Sequence, residues 1–379
     1  GSGALSANTT AANNTAVGYA SLGANTTGAG NTAVGAIALD AITTSSNNTA
    51  VGHEALTNAS SGQGNTALGK GTMVAVVTGS NNTAVGLYAL GANTNASNNV
   101  AVGHNALTTC TTGARNTAVG QNALNVNLGG EENIAIGASA GIRNNSGSRN
   151  IAIGYRGHRG NTTGSDCIIV GSDASYTNCT GSKNIAIGNN AGYNWTTAYN
   201  NCVIGYNART DEYNSYGAIT IGYNGLGYAS EHVTFVNGSN KTYVAIGSTN
   251  WAGTSDQRLK ENIQTSTAGL SFINDLRPIT YDWKKKKDID NTLEAYESDN
   301  EDRYIARNGT NNHGFLAQEV KTALDNHSEV LSGSEIWSES KDGTQGISET
   351  ALIPMLVKAL QEADDKIDAL TARIETLEG

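Results

Sequence analysis

One interval governs the first two-thirds of this chain. "NTAVG" or a close variant ends at Gly18, Gly35, Gly52, Gly69, Gly86, Gly103, Gly120, Gly137, Gly154, Gly171, Gly188, Gly205 and Gly222, thirteen copies spaced by 17 residues without insertion. A fixed period of this kind means one supersecondary unit stacked on itself. The residue before each Gly is aliphatic, from Val17 to Ile221, and the residue two before it is nearly always Ala. Four before the Gly stands Asn in eleven copies; Cys167 and Ala218 are the exceptions. Four after it stands Leu at Leu22, Leu39, Leu56, Leu90, Leu107 and Leu124.

Alternation in "TAVG" is strand-like, with neighbours facing opposite ways. Seventeen residues suit one coil of a parallel β-solenoid, read here as two short strands and two turns. Stacked coils place equivalent residues about 4.8 Å apart, so thirteen make a rod of about 60 Å. The Asn column then becomes an amide ladder. Gly takes a turn conformation that a Cβ would forbid. Because the Ala and the aliphatic position are both apolar, both strand faces are expected to be buried. A thin solenoid has one interior, so the second face calls for another copy of the chain: a parallel homotrimer, with a dimer left open by the pattern.

The remaining residues are built differently. Residues 1–254 hold 9 Lys/Arg and 9 Asp/Glu; residues 255–379 hold the other 14 and 24, and so carry the whole net charge of −10. An acidic or neutral chain is a poor fit for nucleic acid, and no nucleic-acid partner is expected. No apolar run approaches the ~20 residues of a membrane span, so no membrane insertion is expected. Cys110, Cys167, Cys179 and Cys202 form no zinc pattern and are read as free apolar fillers; no metal and no cofactor are expected. His53 and His104 share a face three coils apart, about 14 Å, too far to share an ion. The opening "GSG" reads as an added leader, with a natural chain extending further at its N-terminus.

The chain is divided as a repeat shaft over 1–228, a shaft end over 229–254 and a C-terminal domain over 255–379, with a helix over about 349–378. In that helix Ile353, Leu356, Leu360, Ala363, Ile367, Leu370, Ile374 and Leu377 follow 3,4 spacing to the end, an a/d coiled-coil seam. Alternating Ile and Leu would by itself favour two strands. Tyrosines gather from Tyr193 to Tyr228. Either they stack on sugars of a cell-surface glycan or they pack where the shaft ends. The nine acids of the shaft are scattered, which speaks against a glycosidase cleft.

Two resemblances sharpen this reading. The "NTAVG…AL" repeat resembles phage tail-fibre shafts and is similar to the β-roll heads of trimeric adhesins, whose period is shorter. "SDQRLKENI" (255–263), "GLSFINDLRPITYDWK" (269–284), "GFLAQEV" (314–320) and "ETALIPMLVKALQE" (349–362) together resemble the intramolecular chaperone domain of endosialidase-type tailspikes, a serine autopeptidase family. The resemblance implies a small α+β domain that trimerises, sets the shaft in register and cuts itself off between Thr254 and Ser255. It implies Ser255 as nucleophile and Lys260 as general base; Arg258 and His313 are supporting candidates. A lysine must lose its proton to act so, which burial or a nearby cation promotes. Five residues apart, the two side chains diverge on a helix or a strand, so a turn or a neighbouring chain must bring them together. The expectation is a homotrimeric virion-tail protein, assembled in the host cytoplasm, attached to the rest of the tail and contacting a host glycan or protein receptor. The alternative is a bacterial trimeric surface adhesin without proteolytic activity.

Overall fold

The computed structural model describes residues 1–379 except 178–179, 249–251, 254–256, 258–259, 294–295, 297, 299–310, 331–335 and 379. The chain divides into two compact units, Gly1–Ser255 and Asp256–Gly379.

The first unit is a parallel β-solenoid. Its strands, from β1 (Thr15–Val17) to β12 (Cys202–Ile204), are three residues long and recur once per coil. Each pairs in parallel with the next at an offset of 17: Thr15 with Thr32, Ala16 with Ala33, Val17 with Val34, and so on to Ile204 with Ile221. The stack ends by shortening and then reversing. β13 (Ile219–Tyr223) pairs with β14 (His232–Asn237) at an offset of 14. β15 (Asn240–Ala245) returns antiparallel on β14, and β16 (Ala252–Gly253) on β15.

One strand per coil, not two, is the first departure from the sequence reading. Turns occupy the rest, because each coil holds three or four residues at positive φ. The repeat Gly sits near φ +130°, and two further left-handed positions follow at the second and fourth residues after it. The fourth is the Leu column: Leu22, Leu39, Leu56, Leu90 and Leu107 have φ of 50–53°. A left-handed Leu costs roughly 1–2 kcal/mol. Complete burial of its side chain returns about 1.5–3 kcal/mol, so burial wins. At Gly35 the backbone angle and a close approach both demand glycine: a Cβ there would lie 2.4 Å from the carbonyl oxygen of Gly52.

The Asn column forms the ladder the spacing predicts. Asn48 donates its backbone N–H to Asn31 Oδ1 at 2.9 Å, and its own Oδ1 accepts from the N–H of Asn65 at 2.9 Å. Each amide also reaches the carbonyl 14 residues on, as Asn65 does to Gly79 at 2.9 Å. Cys167 and Ala218 keep the donor half of the rung, to Asn150 and Asn201, and supply no side-chain oxygen to the coil after them.

Burial of both strand faces does not occur within one chain. The central residue of β2 to β12, Ala in all but β10 (Ile169) and β12 (Val203), points inward and is sealed. The flanking positions point out, leaving Val17 56%, Leu68 45% and Ile136 41% exposed in a row along the shaft. The interior also changes along its length. The Leu column gives way to Gly141, buried His158, buried Ser175 and Gly192. Trp195 fills the space beside Gly192 and donates its Nε1–H to Thr210 Oγ1 at 2.7 Å.

The second unit is a small α+β body. α1 (Leu270–Asn274) leads into β17 (Ile279–Tyr281), which starts directly after Pro278. β17 pairs with β18 (Asn312–Gly314), followed by α2 (Ala317–Asn326), the hairpin β19 (Trp337–Glu339) and β20 (Gln345–Ile347), and α3 (Ile353–Glu378). Ala268, Phe272, Val320, Ala323, Ile336 and Leu352 form its core.

Candidate functional site

The sequence directs attention to 254–260. Thr254, Ser255 and Arg258 lie outside the described residues. Lys260 is described: it is exposed, and its backbone N–H donates to the carbonyl of Gln257 at 3.1 Å. His313 lies in β18 opposite Thr280 and is exposed. Lys260 and His313 are not among the residues lining a cleft of about 860 Å³ in the second unit, beside Tyr281, Trp283, Phe315 and Ile347.

The surroundings of the proposed clamp are better defined. Glu362 of α3 accepts the N–H of Leu270 at 2.8 Å, capping the otherwise uncapped start of α1. That hydrogen bond holds the Glu362 carboxyl below its ordinary range, with help from Lys358. Gly269 makes room for the contact, since a Cβ there would meet the carboxylate at 2.5 Å. Arg277 clasps Glu319 of α2 with both arms of its guanidinium, its Nε at 3.0 Å. α3 thus turns Met355, Ala359 and Glu362 toward its own unit, continuing from buried Leu352 just before it. The a/d seam points elsewhere: Ile353, Leu356, Ile367, Leu370 and Ile374 are exposed, Leu360 at 71% and Leu377 at 78%.

A site that the sequence reading missed lies at the end of α2. His327 is nearly buried, with Nε2 2.7 Å from Asp275 and Nδ1 2.6 Å from Glu329. The edge of its ring meets Phe272, with centroids 5.5 Å apart. A protonated imidazole donates to both carboxylates, so the hydrogen bond to Asp275 first, and that to Glu329 next, raise its pKa. This clamp ties the ends of α1 and α2 together. Asp275 lies 52 residues away in the chain, and no local pattern announces the pair.

On the shaft, buried Cys110 and Cys167 have their thiols pushed up by burial to about 12 and about 11, so neither is a nucleophile. Cys202 is free as well; Cys179 lies outside the described residues. The tyrosines, exposed apart from half-buried Tyr176, stack on one another: Tyr176 on Tyr193 at 5.2 Å, Tyr199 on Tyr216 at 5.6 Å, and Tyr206 on Tyr223 at 5.5 Å. Each ring thus has one face taken up by its partner. Among the described residues no group of three His, Cys, Asp or Glu could hold a metal ion. No described helix is long and apolar enough to cross a membrane.

Residues 255–329 match the family model for the chaperone of endosialidase, a peptidase family associated with self-cleaving chaperone domains. The match takes in "SDQRLKENI" and "GFLAQEV" and ends before "ETALIPMLVKALQE". No curated protein and no solved structure matches the chain. A chaperone-of-endosialidase domain following a β-solenoid shaft fits a tail-fibre- or tailspike-like protein.

Proposed function

We propose that this chain is the C-terminal region of a phage tail fibre or tailspike whose chaperone domain assembles the shaft as a homotrimer and then severs itself. The observation that carries this reading is where the family match begins: at Ser255, where the chain passes from one compact unit to the other. Two exposed apolar features support the trimer. The α3 seam and the outer aliphatic row of the shaft are both too regular to be incidental, and copies of the same chain would cover both.

A clamp of this kind answers a problem inherent in the repeat. Thirteen near-identical coils pair almost as well when slipped by one, so register is weakly specified. Joining the chains at the C-terminus sets a common phase. A closed stack then opens only through many coils, and its persistence is kinetic.

In the cut, Lys260 takes the proton from Ser255 Oγ, which attacks the Thr254 carbonyl carbon. The peptide nitrogen leaves with that proton, giving an ester between Thr254 and Ser255 Oγ. Water hydrolyses the ester, freeing the Thr254 carboxylate and restoring the Ser255 hydroxyl. Lys260 is exposed on the single chain, so a neighbouring subunit would provide the cover its basicity requires, and cutting would follow assembly. Host contact would fall to the released shaft.

A denaturing gel tests this. The natural sequence should release residues 255–379, and Ser255→Ala and Lys260→Ala should each stay whole. Mass spectrometry should find the shaft ending at Thr254. A natural chain that remains whole after trimerising would remove the peptidase and leave the chaperone.

A further inference from the structure

Three neighbouring coils carry a charge pattern that the rest of the shaft lacks. Residues 138–188 hold Arg143, Arg149, Arg156, Arg159 and Lys183 against only Asp166 and Asp173, a net of +3 in a chain of −10. Arg149 is paired with Asp166 at 2.6 Å and Arg156 with Asp173 at 2.8 Å. Arg143 and Arg159 have no carboxylate partner among the described residues. Arg143 is exposed. Arg159 lies 5.0 Å over the ring of Tyr176 and donates from Nη1 to its hydroxyl at 3.0 Å. Tyr176 in turn stacks on Tyr193, which is 38% exposed. Arg159, Tyr176 and Tyr193 therefore form a column along the shaft, one residue per coil, with Arg143 in the preceding coil one position off the column. Exposed Tyr155 flanks the column, under the Arg156 guanidinium at 4.5 Å.

We infer that this band binds an anionic polysaccharide, a sugar chain bearing carboxylate, sulfate or phosphate groups. The inference rests on the host-contact reading above and gives its chemistry. Arg159 is fixed by its ring contact and by one hydrogen bond, so its remaining N–H groups are presented in place and little side-chain freedom is lost on binding. A planar guanidinium matches an oxyanion with two parallel hydrogen bonds. The tyrosine hydroxyls beside it suit the hydroxyls of a sugar. Repetition at one side chain per coil suits a linear polymer lying along the shaft. The column sits five residues past the repeat Gly, off the strand face that a second copy would cover. A nucleic-acid strand fits less well: bases stack on open aromatic faces, and here Tyr176 is held between Arg159 and Tyr193. A surplus of three charges is also small for a polyphosphate backbone.

The test uses the full chain and measures binding to polygalacturonate, dextran sulfate, neutral dextran and single-stranded DNA. The band predicts binding to at least one anionic glycan, none to neutral dextran, and an affinity that falls with salt. Arg143→Ala/Arg159→Ala should weaken it about tenfold or more, with an unchanged thermal transition, whereas Arg115→Ala, whose guanidinium is paired with Glu131 and Glu132 of the next coil, should leave it alone. No binding to any anionic glycan, equal loss in the Arg115 variant, or tighter binding to DNA than to every glycan would overturn the assignment. Sedimentation with bacterial cells separates the two readings. Cell binding that survives the double substitution sinks the band and keeps host contact. Glycan binding without cell binding keeps the band and sinks host contact.

Discussion

The side-chain oxygen of Asn65 accepts both the backbone N–H and the side-chain amide of Asn82, one coil on, at 3.0 and 3.1 Å. Asn82 repeats the arrangement for Asn99. Asn82→Ala therefore leaves the buried N–H of Asn99 without its acceptor and should cost about 3 kcal/mol. Cys167→Asn, which supplies the missing rung, should gain about 1 kcal/mol. Denaturant unfolding of the shaft measures both, and an Asn82→Ala shaft as stable as the parent would show the ladder to be incidental.

Glycine demand can be divided into its two causes. Gly103 (φ +131°) and Gly238 (φ +62°) both sit at positive φ. A Cβ on Gly103 would lie 2.7 Å from the Gly120 carbonyl, while nothing lies within 4 Å of one on Gly238. Gly238→Ala should cost about 1 kcal/mol, the backbone term alone. Gly103→Ala should cost several times more and open the stack locally, which amide exchange of coils six to eight would report.

His158 occupies the Leu column with no partner for Nε2, and burial pushes its pKa down to about 4. The unfolded chain takes up the proton first, near pH 6.5. Its contribution is therefore fully present above that pH and declines as the pH falls toward 4, by about 3 kcal/mol in all. His158→Leu should flatten this acid dependence in thermal melts of the shaft. An equally steep profile in the variant would place the acid sensitivity elsewhere.

His327 has the opposite sign. Its pKa is raised by Asp275 and Glu329, so the stabilisation is complete below about pH 6.5 and is lost as the pH rises through the folded value. The proton resonances of His327 should titrate above the ordinary histidine range and shift back in Asp275→Asn. A His327 titrating normally in the parent would dissolve the clamp.

The α3 seam should govern assembly. Leu360→Asp with Leu370→Asp places charge on two exposed seam positions without touching the face that packs on the unit's core. Sedimentation should then find single chains, and the Thr254–Ser255 bond should stay intact. Assembly unaffected by the pair would assign the contact to the shaft.

Much of the shaft was legible because every coil repeats the same test: the period and the Asn ladder follow from residue identity at a fixed interval. What escaped was conformational. Leu22 or Leu39 gives no hint in sequence of a left-handed backbone, since burial overrides local preference there. One strand per coil follows from the same angles. The helix that carries the seam from Ile353 to Leu377 was readable from spacing. The His327 clamp was not, because its parts come from separate elements and meet only through the fold.

The strict offset of 17 makes the shaft a ruler whose graduation is also its genetic unit. Removing 17 residues anywhere between Gly18 and Gly205 would shorten it by one rung, about 4.8 Å, and leave every column in line. Removing 16 or 18 would turn the following Ala positions outward and break the stack at that point. Reach can therefore change by recombination between near-identical segments while the outer surface, column by column, remains the same.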